Sequence, residues 1–232
     1  IGSMMSRLDS AFLNYILAQE VAPGERLPTL SAMSEEIGIS VGKLREQLGV
    51  ARSLGLVSVQ PRLGTRREAF DFLPAVRESA LFALASGEAT FRQFSEVRRA
   101  LETALWPDAV TRLTAEDKVA LQGIVDRAFA KLEGDPAHIP SGEHRALHLT
   151  IFKRLDNPFV RGLLQAYWDI YESHQLTRLA SYAYWLEVWR YHREIVNAIC
   201  AGEMDEGLRL LIEHFQLLPT ISSVSINGDG NV

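Results

Sequence analysis

Cysteine is almost absent from this sequence of 232 residues, which contains only Cys200. A single cysteine excludes an internal disulfide framework and is typical of a reducing compartment. The sequence also lacks any apolar run of about 18 residues, the length that a membrane-spanning helix needs. Its first residues lack the basic segment followed by an apolar one that marks a secretion signal. These absences predict a cytoplasmic protein without a membrane partner.

Positive charge is also in short supply, since 24 Lys and Arg face 29 Asp and Glu and leave a net charge of -5. This balance alone argues against a nucleic-acid partner, because phosphate contacts need clustered basic side chains. The charge is unevenly distributed, however. Residues 1–67 hold eight basic and six acidic residues, and between Val41 and Arg67 six basic residues accompany only Glu46. The sequence therefore contains a local basic patch.

The pattern around this patch predicts three short helices and a β-hairpin. Pro23 and Gly24 end the first helix, Gly38 ends the second, and Ser40 is placed to cap the third. After Gly55 the run "LVSVQPRLGTRR" reads as two short extended pieces around a Pro and Gly turn. This order is typical of a winged helix-turn-helix, in which the hairpin is the wing.

A winged helix-turn-helix places one helix in the major groove of double-stranded DNA and lets the wing reach the backbone or the minor groove. A basic helix that packs on a core usually has its charges in water and no DNA partner. The succession of three helices and a basic hairpin nevertheless favours DNA binding. The predicted DNA-contacting residues are Lys43, Arg45, Arg52, Arg62, Gly64, Thr65 and Arg66.

Residues 23–65 resemble the DNA-binding domain of GntR-family transcription regulators. The matching positions are Gly24, Leu27, Pro28, Gly38, Ser40, Leu44, Arg45, Glu46, the run Gly55-Leu56-Val57 and the wing from Pro61 to Thr65. Two departures stand out, since Ser31 and Val41 occupy positions where the family usually has arginine, and Gly42-Lys43 stand where it usually has Thr-Pro. The resemblance therefore implies DNA binding at an operator that differs from the family's commonest sequence.

The rest of the chain predicts a second domain that is helical throughout. Six segments carry apolar residues at three-four spacing between Pro, Gly or Asp breaks, as in "AEDKVALQGIVDRAFAKL". The fold class is thus mainly α, with an N-terminal winged helix-turn-helix and a small β-hairpin wing, followed by an all-α antiparallel helix-bundle ligand-binding domain. We expect the reader over residues 1–67, a linker over 68–74, the bundle over 75–218 and a flexible tail over 219–232.

Four of the six histidines are placed to meet in the bundle. His144 and His148 lie one turn apart on one helix face. His192 and His214 lie nine residues to either side of the break between the last two predicted helices, so an antiparallel hairpin puts them at the same height. Four imidazoles at matched heights favour a metal site, and hydrogen-bonded polar packing is the alternative.

The helical half resembles the FCD ligand-binding domain of the FadR subgroup of that family. The resemblance lies in Arg98 and Glu102 within "EVRRALE", in "LHLTIFKRLDNP" with His148 nine residues before Asn157, and in the final hairpin. It implies a metal held by three histidines and an Asp, and His144 stands at the Asp position here. An all-imidazole set favours Zn²⁺, with Ni²⁺ as the alternative, over the oxygen-seeking Mg²⁺ and Ca²⁺.

The resemblance also implies an effector site for a small organic acid, in which the metal and Arg98 bind a carboxylate. The alternative for Arg98 is a surface ion pair with Glu102, its neighbour at i+4. An aromatic cluster precedes His192 and either walls this cavity or, as is commoner for rings at that spacing, packs in the core. Its members are Tyr182, Tyr184, Trp185 and Trp189.

These features predict a homodimeric, cytoplasmic, DNA-binding transcription regulator whose operator affinity is controlled by a small carboxylic acid at a metal-containing helical domain. The alternatives are a metal-dependent helical-bundle enzyme and a metal-binding protein. No acid or base lies at an obvious helical spacing from the four histidines, and an enzyme has no use for a basic winged helix, so we expect no catalytic residues. A storage bundle would contain several Glu-x-x-His motifs, which "EHRALH" does not supply.

Overall fold

The computed structural model describes residues 8–173 and 181–217. The predicted tail over residues 219–232 lies outside these ranges. The chain divides into two compact units between Val76 and Arg77. The helices are α1 (Ala11–Ala18), α2 (Leu30–Ile37), α3 (Val41–Ser53), α4 (Leu73–Ala85), α5 (Phe91–Thr111), α6 (Ala115–Leu132), α7 (Ser141–Phe152), α8 (Pro158–Ser173), α9 (Tyr182–Ala201) and α10 (Met204–Gln216), and the strands are β1 (Val57–Gln60) and β2 (Gly64–Arg67).

The first unit is a winged helix-turn-helix, as predicted. Gly38 ends α2 in the left-handed conformation, with a φ of 77°, and the Ser40 hydroxyl caps α3 by accepting a hydrogen bond from the amide of Lys43. β1 and β2 pair antiparallel, with Val57 opposite Arg67 and Gln60 opposite Gly64. The core consists mainly of Phe12, Ile16, Leu27, Met33, Leu44 and Val57. These side chains pack α3 and the wing into one small domain with a shared core.

The second unit is a bundle of helices, also as predicted. Thr90 and Gln93 form a capping box at the start of α5, and Thr114 and Asp117 form another at the start of α6. Such caps satisfy amides that the first helical turn leaves without partners. The main core joins α5 to α10, including Val160 and Leu164 of α8, and a separate aromatic cluster of Tyr167, Trp168 and Tyr171 joins α8 to α5.

The structure adds one helix that the sequence analysis did not predict, α4. None of its side chains is buried, and Phe82 is 70% exposed. The predicted linker ends at Pro74, but the helix already begins at Leu73. Among the described residues, no helix is both long enough and apolar enough to cross a membrane.

Candidate functional site

The predicted DNA-contacting residues of α3 are all exposed. Lys43 and Arg45 lie in its first half and Arg52 lies in its last turn. The Lys43 ammonium is 3.9 Å from the Glu46 carboxylate, and both side chains are more than half exposed. Such a pair contributes little to stability, because water screens it. The basic groups of α3 are therefore free to contact an anionic surface.

Two predicted wing residues take left-handed backbone conformations at the hairpin turn, Arg62 with a φ of 66° and Gly64 with a φ of 83°. Arg62 is exposed. The left-handed conformation favours glycine at position 64, where an added Cβ atom would lie 2.9 Å from Nε of the flexible Arg26 side chain.

The remaining wing residues also hold the wing in place. The Thr65 carbonyl accepts a hydrogen bond from the Leu27 amide at 2.8 Å. The Arg66 guanidinium donates to the Gly24 carbonyl at 2.7 Å. Arg66 is therefore engaged within the protein, whereas Arg62 projects from the turn without such a contact among the residues described.

The structure brings the four predicted histidines together. His144 and His148 come from α7, His192 from α9 and His214 from α10. The ring centroids of His192 and His214 are 4.3 Å apart, which confirms that the hairpin puts them at the same height. One nitrogen from each of the four rings lies within 4.8 Å of the others, and all four side chains are buried.

The metal-site and polar-packing interpretations of the cluster differ in the hydrogen bonds that they expect of these rings. Within the described residues, neither ring nitrogen of His144 has a partner, and Nδ1 of both His192 and His214 lacks one. A neutral imidazole has one donor and one acceptor nitrogen, and a buried polar group without a partner costs about 1–3 kcal/mol. Hydrogen bonds from the described residues therefore do not satisfy either ring nitrogen of His144.

The spacing of the ring nitrogens suits a metal ion. Ligand nitrogens about 2.1 Å from one ion lie at most about 4.2 Å from each other. Nε2 of His148 and Nε2 of His192 are 3.2 Å apart, within this limit. The widest separation in the cluster, 4.8 Å, exceeds it by less than an ångström. Small rotations of the rings would let all four bind the same ion.

Burial keeps the histidines in the form that binds metals. It lowers the pKa of His144, His192 and His214 well below the usual value, and the neighbouring rings and Arg98 lower it further. Burial also lowers the pKa of His148, although the Glu102 carboxylate opposes this effect. A neutral imidazole has the free lone pair that a metal ion needs.

Arg98 and Glu102 form an ion pair on α5, but the pair is buried rather than on the surface. Nε of Arg98 donates to Oε1 of Glu102 at 2.7 Å, and the two side chains are 2% and 0% exposed. Oε2 of Glu102 lies 2.9 Å from Nδ1 of His148. Burial raises the pKa of Glu102, but Arg98 and His148 outweigh it and hold this pKa at about 2. The carboxylate is therefore charged and oriented towards a histidine of the cluster.

The Arg98 guanidinium also borders the histidines directly. Its terminal nitrogen Nη2 is 3.0 Å from Nδ1 and 2.9 Å from Nε2 of His148. Its central carbon lies 4.8 Å from the ring centroid of Tyr167 and 4.5 Å from that of Trp168. Aromatic faces attract a cation at these distances. Arg98 is thus a fixed positive charge at the edge of the cluster.

Sequence reasoning missed Trp168, whose ring centroid is 4.7 Å from that of His144. Only the packing of α8 reveals its place, since the "AYWDIY" run is equally typical of a core helix. Trp185 and Trp189 also lie beside His144, at centroid distances of 5.9 and 6.3 Å. Glu143, by contrast, points away from the cluster and binds the Lys131 ammonium at 2.8 Å.

The chain matches two known domain families. Residues 7–66 match the bacterial regulatory proteins of the gntR family, and residues 93–217 match the FCD domain. Among named relatives, the chain is 22% identical to the HTH-type transcriptional regulator LutR of Bacillus subtilis, over 84% of this chain and 90% of LutR. It is 25% identical to the uncharacterized HTH-type transcriptional regulator YieP of Escherichia coli, over 85% of this chain and 90% of YieP.

A solved structure shows the same fold. Streptococcus agalactiae GntR is 19% identical, with a TM-score of 0.60, and the match covers 90% of this chain and 96% of that one. The matched families and these relatives are transcription regulators rather than enzymes. The chain belongs to the GntR family of bacterial transcription regulators, with an FCD domain following its helix-turn-helix.

Proposed function

We propose that this regulator holds a divalent metal ion with His144, His148, His192 and His214, and that a small carboxylic acid binding there changes its affinity for operator DNA. One observation carries the proposal: four neutral, buried imidazoles converge, and His144 has no hydrogen-bond partner within the described ranges. A bound ion would give one nitrogen of His144 the partner that it lacks.

The donor set supports Zn²⁺ as the ion, with Ni²⁺ as the alternative. Imidazole nitrogen suits both ions, whereas Mg²⁺ and Ca²⁺ prefer oxygen. Glu102 orients one of the ligands, because its contact with Nδ1 of His148 makes Nε2 the acceptor nitrogen, and a metal there would replace the Arg98 N–H that lies 2.9 Å from it. Carboxylates commonly support metal-binding histidines in this way.

Charge balance explains why the effector would be an acid. The four imidazoles are neutral, and the charges of Arg98 and Glu102 cancel each other. A divalent ion would therefore add two uncompensated positive charges to a buried site, which favours an anionic ligand. Arg98 still has one terminal nitrogen, Nη1, beyond the two that face Glu102, and a carboxylate is its natural partner.

The reader supports operator binding through α3 and the wing. Lys43, Arg45, Arg52 and Arg62 are exposed basic residues, and we assign them DNA contacts, with Gly64, Thr65 and Arg66 shaping the wing. A homodimer fits this role, because two readers related by two-fold symmetry match a palindromic operator. We place the protein in the cytoplasm, where bacterial operators are found.

An effector can change operator affinity only if it binds two conformations of the regulator with different affinities. One of these conformations must bind the operator well and the other poorly. The test is fluorescence anisotropy with operator DNA selected from a random pool, using zinc-loaded and metal-free protein with and without a panel of small carboxylic acids. We expect at least one acid to change the operator Kd fivefold or more with zinc-loaded protein only. Equal operator affinity under all four conditions would contradict the proposal.

A further inference from the structure

The segment over residues 25–27, between α1 and α2, pairs with β2 on the edge that β1 leaves open. Arg26 lies directly opposite Arg66 in an antiparallel bridge, and the Arg67 amide donates to the Glu25 carbonyl at 3.0 Å. On its other edge β2 pairs with β1. Arg26 is therefore structurally part of the wing, although it lies outside the hairpin in the sequence.

The Arg26 side chain lies on the solvent face of the wing, beside the hairpin turn. Successive residues of a strand face opposite sides of a sheet, and Leu27, the next residue, packs in the core at 3% exposure. Arg26 is accordingly exposed. A Cβ atom on Gly64 would lie 2.9 Å from Nε of Arg26 and 3.2 Å from its terminal nitrogen Nη2. The guanidinium thus occupies the space that a side chain at position 64 would take.

The four arginines of the wing differ in their partners. Arg66 and Arg67 each donate from the side chain to a backbone carbonyl of the same unit. The guanidinium groups of Arg26 and Arg62 have no hydrogen bond or ion pair to any residue that the structure describes. Like charges directly opposite each other across two strands are destabilising, and Arg26 and Arg66 are such a pair. An anion bound beside them would offset this repulsion.

We infer that Arg26 binds a phosphate of the operator backbone and, with Arg62 at the turn, anchors the wing on DNA. The inference rests on the proposed operator contacts of α3 and the wing and adds a residue that they do not include. A guanidinium forms a forked pair with two phosphate oxygens. The Arg26 group lies beside Gly64, so it meets the rim of a groove, where the phosphates are. Phosphate contacts carry no sequence information, so Arg26 strengthens binding to all DNA sequences alike.

The test is fluorescence anisotropy of full-length protein, in the metal state that binds operator more tightly, over a series of salt concentrations. Arg26→Gln should raise the Kd about 5- to 10-fold near 0.1 M salt and lower the slope of log Kd against log salt by about 0.9, because one phosphate contact is lost. DNA of unrelated sequence should lose the same factor. Arg92→Gln is the control, because Arg92 is an exposed arginine of the helical unit, and it should change neither quantity.

A melting curve separates a DNA contact from damage to the fold. Arg26→Gln removes the like-charge pair with Arg66, so the melting temperature should stay equal or rise. A lower melting temperature would assign the loss of binding to the fold and overturn the inference.

Two further outcomes would overturn this inference alone. One is an unchanged Kd and slope for Arg26→Gln beside a clear loss for Arg45→Ala. The other is a loss for Arg26→Gln that is confined to operator DNA, since Arg26 would then contact bases. Equal operator Kd values for the parent, Arg26→Gln and Arg45→Ala would contradict the proposed operator contacts as well.

Discussion

Oε2 of Glu102 lies 2.9 Å from Nδ1 of His148, and both side chains are inaccessible to solvent. The contact requires a proton on Nδ1, which fixes the tautomer of the ring and leaves Nε2 as the acceptor nitrogen. That Nε2 is 3.2 Å from Nε2 of His192. The carboxylate of α5 thus determines which atom of α7 faces the histidine cluster.

Glu102→Gln should weaken metal binding. The amide keeps the shape of the side chain but loses the charge that orients His148 and neutralises Arg98. Loss of such a supporting carboxylate typically lowers metal affinity about 10- to 100-fold. It also leaves Arg98 buried without a counter-charge, which costs about 3–5 kcal/mol of folding stability. Zinc competition against a chelating dye measures the affinity, and circular dichroism confirms that the variant is folded.

Asp108→Asn is the matched control for Glu102→Gln. Asp108 lies on the same helix and pairs with Arg112 at i+4, but both of these side chains are about half exposed. Removing an exposed pair costs about 0–1 kcal/mol. Zinc affinities of the two variants that lie within twofold of each other would show that Glu102 does not support the site.

Gly207→Ala should destabilise the bundle. A Cβ atom at this position would lie 2.7 Å from Cζ2 of Trp106. The Trp106 ring cannot move away easily, because it is fully buried and its N–H donates to the Met204 carbonyl. Overpacking of this kind costs about 1–3 kcal/mol. Urea unfolding of metal-free protein measures the change in the free energy of unfolding.

Gly123→Ala is the opposite case, since the nearest atom to its added Cβ is the end of the flexible Arg127 side chain at 3.4 Å. Alanine in a helix is favoured over glycine by about 1 kcal/mol. This variant should therefore be as stable as the parent or more so. Equal unfolding midpoints for Gly123→Ala and Gly207→Ala would mean that α10 does not pack closely on Trp106.

Arg45→Ala should weaken operator binding and relax specificity at one base position. Arg45 is exposed in the first half of α3, where a groove-binding helix meets base edges. Loss of one such contact costs about 1–3 kcal/mol of binding free energy. Anisotropy at a fixed salt concentration measures the loss. Arg92→Ala is the control, because Arg92 is an exposed arginine of the helical unit.

Asp117→Asn should lower stability at neutral pH but not in acid. The Arg154 guanidinium, the Lys153 ammonium and the Thr114 amide hold the pKa of Asp117 well below its usual value. A carboxylate whose pKa is lower in the folded state stabilises the protein above its unfolded pKa of about 3.9, and this contribution is lost as the pH falls below that value. The melting temperature of the variant should be lower than that of the parent at pH 7. The difference should shrink towards pH 2.5, and a difference that stays constant would argue against an ionic role.

Local sequence signals determined most of the fold. The cap of α3 by Ser40 and the end of α2 at Gly38 follow from residue type alone, and α6 covers the same residues as its periodic segment. Helix α4 was missed because apolar residues are spread around it and none of them is buried. Periodicity reveals a helix only where one face packs against a core.

The site was only partly predictable for a similar reason. The equal height of His192 and His214 follows from counting residues along the hairpin of α9 and α10. The contact between His148 of α7 and His192, by contrast, joins residues 44 apart in the sequence and depends on how the helices pack. The i+4 spacing of Arg98 and Glu102 predicts their pairing but not their burial. The place of Trp168 depends on how α8 packs against α7, which sequence spacing does not encode.

The most direct test of the account is elemental analysis of the purified protein, comparing the parent with His148→Ala, His192→Ala and His138→Ala. His138 is an exposed histidine outside the cluster and serves as the control. We predict about one zinc or nickel ion per chain in the parent and in His138→Ala, and loss of the ion from the other two variants. Absence of metal from the parent after loading with either ion, or retention of the ion by His148→Ala and His192→Ala, would contradict the four-histidine site.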